Sequence, residues 1–241
     1  MMSNLAERLA LVRERISEAA RQANRDPAAI TLVAVTKNHP PALVAEAIAA
    51  GVTDVGENRV QEAQTKLAAL RELRPQVRWH LIGHLQRNKA QLAAELFDVV
   101  HSVDSLRLAE ALARQVAPKR RLPILLQINV SGEASKEGFD LPGGVANHTG
   151  LAALLPVVAS LLALPTLEVR GLMTIAPLLA DPNAARPTFR ALRELRDELA
   201  RRFPATSWAE LSMGMSDDFS VAIAEGATSV RIGRALFGAR G

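Results

Sequence analysis

A single (β/α)8 TIM barrel is the fold class this sequence predicts, and three observations predict it. Short runs rich in β-branched and aliphatic residues alternate with helical patterns along the whole chain, the rhythm of parallel strands joined by crossover helices. The runs fall at 30–37, 53–58, 77–83, 98–104, 123–130, 167–173, 209–214 and 229–233, and eight such strands close a barrel. No linker, low-complexity tract or change of composition divides the 241 residues, a length that an α/β barrel fills as one domain. An open doubly wound sheet shares the alternation, but eight repeats favour closure.

Taken in order, Leu5, Leu9, Val12, Ile16 and Ala20 recur three or four apart with charges between them. That spacing predicts an amphipathic helix, extra to the barrel, over about 3–24. ITLVAVTK (30–37) is the first strand and ends at a lysine. Pro40-Pro41 then opens a helix that Gly51 stops. Further helical patterns occupy 59–73, 87–96, 105–116, 150–163, 184–203 and 217–225. The segment DLPGGVANHTG (140–150) is the most loop-like stretch and is predicted to lie on the surface.

Composition narrows the function classes. The chain has 49% hydrophobic and 22% charged residues, as soluble globular domains do. Cysteine is absent, which excludes disulfides, thiolate metal sites and cysteine nucleophiles and suits a reducing compartment. The N-terminal stretch is too charged for a signal peptide, and no apolar run is long enough to span a membrane. The expectation is a cytoplasmic protein without a membrane partner. The formal charge is only +4 and aromatics make up 3% of the chain, too few for base-stacking platforms, so no nucleic-acid partner is expected.

Active sites of such barrels lie at the C-terminal ends of the strands. There the sequence places Lys37, Glu57-Asn58, Gly83-His84, Asn129 with Ser131 and Lys136 beyond it, Met173-Thr174, Ser212-Met213-Gly214, and Arg231-Ile232-Gly233. Five lysines stand against twenty-four arginines. A desolvated lysine can form an imine with an aldehyde and arginine cannot, although by position alone Lys37 reads equally well as a surface lysine. The small residues after strands seven and eight stand where barrels commonly bind phosphate. His80 and His84 lack carboxylates in ligand spacing, so no metal is expected. Glu57 suits an acid–base role or an ordinary hydrogen-bonding one, and Met213 with Met215 reads as pocket wall.

The motifs AVTK (34–37), GENRVQE (56–62), HLIGHLQRNK (80–89), QINVSGEASKEGF (127–139), RGLM (170–173) and LSMGMSDDFSVAIAEGATSVRIGRALFG (211–238) strongly resemble those of the YggS/PROSC family, the pyridoxal phosphate homeostasis proteins. The resemblance implies a barrel like the N-terminal domain of alanine racemase (fold-type III) that binds pyridoxal 5′-phosphate. It implies that Lys37 is the Schiff-base lysine and that Asn58 belongs to the cofactor pocket. Ser212, Met213, Gly214, Ile232 and Gly233 match the phosphate cradle, Arg231 matches the residue facing the pyridine nitrogen, and Met173 and His80 would line the ring pocket. Arg59 stands where the family commonly has tyrosine, and 140–150 departs from the family's usual helix start.

Three functions compete: a non-catalytic protein that stores, buffers or delivers the cofactor, a racemase-like enzyme, and a cofactor-free lysine aldolase. Alanine racemases set a tyrosine opposite the lysine and carry a second, β-rich domain; this chain has no tyrosine and no room for that domain. Arg231 can only donate to the pyridine nitrogen, which disfavours aminotransferase and most decarboxylase chemistry. The aldolase reading leaves Arg231 without a role. The carrier reading is preferred, with Lys89 and Lys136 as candidate amines for transfer, cofactor-dependent apoenzymes as candidate partners, and a monomeric state.

Overall fold

Most residues of the barrel strands are buried, as a parallel sheet covered on both faces requires. The computed structural model describes residues 5–238. Its strands are β1 (Thr31–Val35), β2 (Asp54–Glu57), β3 (Arg78–Leu81), β4 (Val99–Val103), β5 (Leu122–Asn129), β6 (Phe139–Asp140), β7 (Leu167–Met173), β8 (Glu210–Ser212) and β9 (Ser229–Ile232). All pair in parallel, in the order β4-β3-β2-β1-β9-β8-β7-β5. Pairing of Val100 with Ile124 and of Val103 with Leu126 joins β4 to β5 and closes the eight-stranded barrel. The two-residue β6 hangs on the outer edge of β5 through Ile128 and Phe139.

Around this wall run α2 (Pro41–Ala49), α3 (Val60–Ala69), α4 (Ala90–Leu96), α5 (Leu106–Ala113), α6 (His148–Leu162), α7 (Arg186–Arg202), α8 (Phe219–Ala224) and α9 (Arg234–Phe237). The extra helix α1 covers Leu5–Gln22; residues 3 and 4 of the predicted span lie outside the described residues. Its apolar stripe (Leu5, Leu9, Val12, Ile16, Ala20) is buried against α8 and α9. Each of its four larger side chains, Leu5, Leu9, Val12 and Ile16, contributes roughly 1.5–3 kcal/mol of burial. Arg25 ties the segment after α1 to the barrel by donating to the carbonyls of Ile223 and Ala227. No helix among the described residues is long and apolar enough to cross a membrane.

The differences from expectation are local. The first strand ends at Val35 rather than Lys37, because Thr36 turns its backbone toward β2 and Lys37 enters a turn. The helix expected over 59–73 stops at Ala69, and that expected over 87–96 opens with a 3-10 turn at Arg87–Lys89. The segment 140–150 is not wholly a surface loop. Leu141 is fully buried, Gly144–Ala146 forms a 3-10 turn, and α6 already starts at His148, where the Asn147 side chain accepts from Gly150 N.

Candidate cofactor site

Lys37 sits half-buried at the top of β1, and the chain on both sides of it is pinned. Lys66, on α3, is 3% exposed, and its ammonium donates to Thr36 O at 2.6 Å, Glu57 Oε1 at 2.6 Å and Glu62 Oε1 at 2.7 Å. All three of its donors are thereby used. The Thr36 hydroxyl donates to Glu57 Oε1 and the Asn38 backbone N–H to Glu62 Oε1, each at 2.5 Å. Asn38 takes a left-handed φ of 64°, so the backbone turns sharply just past Lys37. Burial pushes the Glu57 carboxyl above its ordinary value, against the pull of Lys66 and Thr36. Glu57 is therefore a brace for the lysine loop.

The loops after β8 and β9 are stitched into one shelf. Arg231 N donates to Gly214 O at 3.0 Å, Ala235 N reaches Ser216 Oγ at 3.4 Å, and Arg234 pairs with Asp217. Asp218 Oδ1 accepts from Met215 N at 2.6 Å; burial pushes its carboxyl upward while that bond and the Arg231 charge oppose the rise. Gly214 has a φ of +93°, and a Cβ there would stand 2.6 Å from that of Ala222. Met213, Ile232 and Met173 are fully buried beneath the shelf, and Gly233 lies at its half-exposed edge. We expect Gly214→Ala to lose about 1–3 kcal/mol through backbone strain, read as a lower urea midpoint; an unchanged midpoint would contradict the tight turn.

Arg231 is 4% exposed. Its Nη2 donates to Thr174 O at 2.8 Å and its Nη1 to Ser212 Oγ at 2.6 Å, and among the described residues it forms no ion pair. Burial pulls the guanidinium down to about 10, below the ordinary arginine value, so it still carries its charge at neutral pH. Ser212, matched to the phosphate cradle, sets its hydroxyl against Arg231 and 2.9 Å from His101 Nδ1. His80 is buried, 2.9 Å from His101 Nε2 through Nδ1 and 2.9 Å from Asp54 Oδ1 through Nε2. Its place on the middle of β3, with its neighbours on β2 and β4, sends it inward. His101 is 1% exposed, and burial, with the Arg231 charge acting the same way, holds it well below the ordinary imidazole value.

A cleft of about 240 Å³ opens at the strand ends, lined among others by Asn58, Gly83, Gln127, Asn129, Lys136 and Thr174. Gly83 packs so closely under the Asn58 backbone that a Cβ would fall 2.4 Å from Asn58 O. Lys136 pairs with Glu133 and lies 3.3 Å from Ser131 Oγ. Lys89 lines a neighbouring cleft with Asn58 and Arg59, so the two candidate transfer lysines flank Asn58 from different sides. Another cleft, of about 650 Å³, lies between α4 and α5, lined among others by Arg87, Gln91, Arg107, Glu110 and Arg114. On the rim, contrary to the expectation that His84 lacks carboxylate neighbours, its Nδ1 lies 3.1 Å from Asp104 Oδ2 and 3.8 Å from Glu137 Oε2, the three ligand atoms within 4.8 Å of one another.

Sequence reasoning missed Asp54, Lys66, Glu62, His101 and the structural duty of Thr174. A buried-type position held by a charged or imidazole side chain inside an apolar strand (VVHSV around His101) was the available signal.

A closed barrel with a lysine after its first strand and a shelf after its last two defines a class. Residues 8–241 match the family described as alanine racemase, N-terminal domain. The alanine racemase of Clostridium difficile shares the barrel at a TM-score of 0.70 and 15% identity, covering 99% of this chain and 57% of that one. Within that class the chain belongs to the family of the pyridoxal phosphate homeostasis proteins. It is 48% identical over 243 residues to the Pseudomonas aeruginosa protein of that name, covering 99% of this chain and 97% of the relative. It also superposes on PipY of Synechococcus elongatus with PLP bound at a TM-score of 0.82 and 42% identity, covering 98% of this chain and all of that one.

Proposed function

We propose that this chain binds pyridoxal 5′-phosphate at the strand ends and stores, buffers or delivers it, without strong catalysis of its own. Arg231 carries the reading. A guanidinium buried without an ion pair is costly, and it is accounted for if its remaining donors face an acceptor such as a pyridine nitrogen. In this reading Lys37 supplies the amine that joins the aldehyde, the shelf of Met213, Gly214, Ile232 and Gly233 receives the phosphate, and Asn58 and Met173 border the ring. The cofactor supplies an aldehyde and an electron-poor ring; the protein's part is to hold both ends and keep Arg231 cationic. The names of the relatives and the cofactor in PipY support the same reading.

The racemase-like alternative draws on the shared barrel, but that barrel accounts for just 57% of the racemase chain, and no tyrosine is available here as a second base. We take the working state to be a cytoplasmic monomer that hands cofactor to apoenzymes, with Lys136, on the strand-end cleft, better placed as a transfer amine than Lys89. Titration of purified protein with pyridoxal phosphate and with pyridoxal tests the site. The phosphate form is expected to bind at least roughly tenfold tighter, the worth of one charge-assisted hydrogen bond or more, with a yellow band. A colourless protein that takes up neither would end the proposal. Rapid racemisation of amino acids by the loaded protein would replace it with the enzyme reading.

A further inference from the structure

Arg231 is supported from inside the barrel by a chain of buried side chains to which cofactor binding alone assigns no role. Its Nη1 donates to Ser212 Oγ at 2.6 Å, and Ser212 Oγ lies 2.9 Å from His101 Nδ1. His101 Nε2 is 2.9 Å from His80 Nδ1, and His80 Nε2 is 2.9 Å from Asp54 Oδ1. Asp54 opens β2 at the opposite, N-terminal end of the barrel. There its carboxylate also receives the Thr53 hydroxyl and the partly exposed Arg78. Barrel interiors are usually filled by branched aliphatic side chains. A polar chain through one is costly unless every group is satisfied, and here every link is.

The two ends dictate how the protons lie between them. A guanidinium only donates, and an ionised carboxylate only accepts. Burial tends to raise Asp54, but the bonds from His80 and Thr53 and the charge of Arg78 outweigh it and keep the carboxyl below its usual range. Ser212 Oγ accepts from Arg231 and has one proton to give, which goes to His101 Nδ1. A neutral imidazole accepting at Nδ1 carries its proton at Nε2, so His101 donates to His80 Nδ1. By the same step His80 donates from Nε2 to Asp54. Run the other way, with His101 donating from Nδ1, Ser212 would accept twice and neither neighbour could take its own proton.

We propose that Asp54, His80 and His101 are positioning residues for the cofactor, holding the Ser212 hydroxyl as an acceptor toward Arg231 and so orienting the guanidinium from the far end of the barrel. This rests on the reading that pyridoxal phosphate lies against Arg231. It makes a carboxylate on the opposite rim part of the cofactor site.

Nitrogen-15 NMR of the histidine rings in the protein without ligand tests the chain first, needing no substitution. His80 and His101 are each expected to be protonated at Nε2 and bare at Nδ1 near neutral pH. A proton on Nδ1 of His101 would overturn the proposal. His101→Leu is then expected to bind pyridoxal phosphate about tenfold more weakly, through loss of the acceptor that orients the Ser212 hydroxyl beside Arg231, and to shift the band of the bound cofactor. His101→Asn, whose amide oxygen stands near the position of Nδ1, should restore both. A core truncation elsewhere, Leu112→Ala, should lower stability and leave the band in place. If wild type binds but His101→Leu keeps the wild-type affinity and band, the positioning role is wrong and the cofactor site stands. If His101→Leu does not fold, an Asn variant that binds like wild type supports the proposal, and one that binds with a shifted, weakened band counts against it. If wild type takes up no cofactor, the underlying reading fails, and this inference with it.

Discussion

Lys37→Ala is expected to remove covalent pyridoxal phosphate from this protein, dropping borohydride-fixed label at position 37 from about one equivalent to essentially none. In the proposed attachment the Lys37 amine would attack the aldehyde carbon, forming a C=N bond and releasing the carbonyl oxygen as water. Borohydride then reduces that bond to a stable secondary amine that mass mapping can find. The variant keeps Arg231 and the shelf between β8 and β9, so it should still hold the phosphate form, weakly and without the yellow band. Lys37→Arg should behave in the same way, because arginine preserves the charge and cannot form a stable imine. In the alanine variant, slow labelling of Lys136 under excess aldehyde fits its place on the strand-end cleft, and labelling of Lys89 in preference would exchange their roles. Full, rapid labelling at any lysine in the variant would show that Lys37 is not the primary attachment point.

The barrel was legible because its signal is repetitive: a strand buried on both faces cannot hide its apolar run, and α5 and α7 show their stripes plainly. The role proposed for Arg231 came from the family resemblance, whereas the strand-end positions of Lys37 and Gly214 were legible because strand ends and small residues are punctuation in the sequence. Asp54, His80 and His101 were not, because they lie within or at the start of three different strands. Their meeting depends on register, such as the pairing of His80 with Gly56 and with Val99, which no local pattern encodes. Lys66 was disguised in another way. Four residues after Glu62 on an amphipathic helix, it has the spacing of an ordinary exposed ion pair, and only packing against β1 and β2 turns it inward. The two-residue β6 is too short to carry any periodicity at all.

That inward turn makes Lys66→Met the second large effect. Removing the ammonium leaves Glu57, fully buried and with Oε2 already lacking a hydrogen-bond partner, as a carboxylate with only the Thr36 hydroxyl for company. Losing one partner of a buried pair costs about 3–5 kcal/mol, which in a protein of this size lowers Tm by roughly 6–20 °C. The pH dependence identifies the cause. Burial already raises the Glu57 carboxyl in the folded protein, and without Lys66 it rises further. A carboxyl whose folded value exceeds its unfolded one binds more protons when folded, so stability falls as pH rises through that interval and returns as pH drops toward the ordinary glutamate value. The Tm deficit of Lys66→Met should therefore shrink on mild acidification, and a Glu57→Gln, Lys66→Met double variant should recover part of it at neutral pH. The same substitution frees the Thr36 carbonyl and the Glu62 grip on Asn38, so attachment at Lys37 should slow in the double variant as well. A deficit that is equal at both pH values, or a double variant no better than the single one, would mean that lost packing, and not the stranded carboxylate, sets the cost.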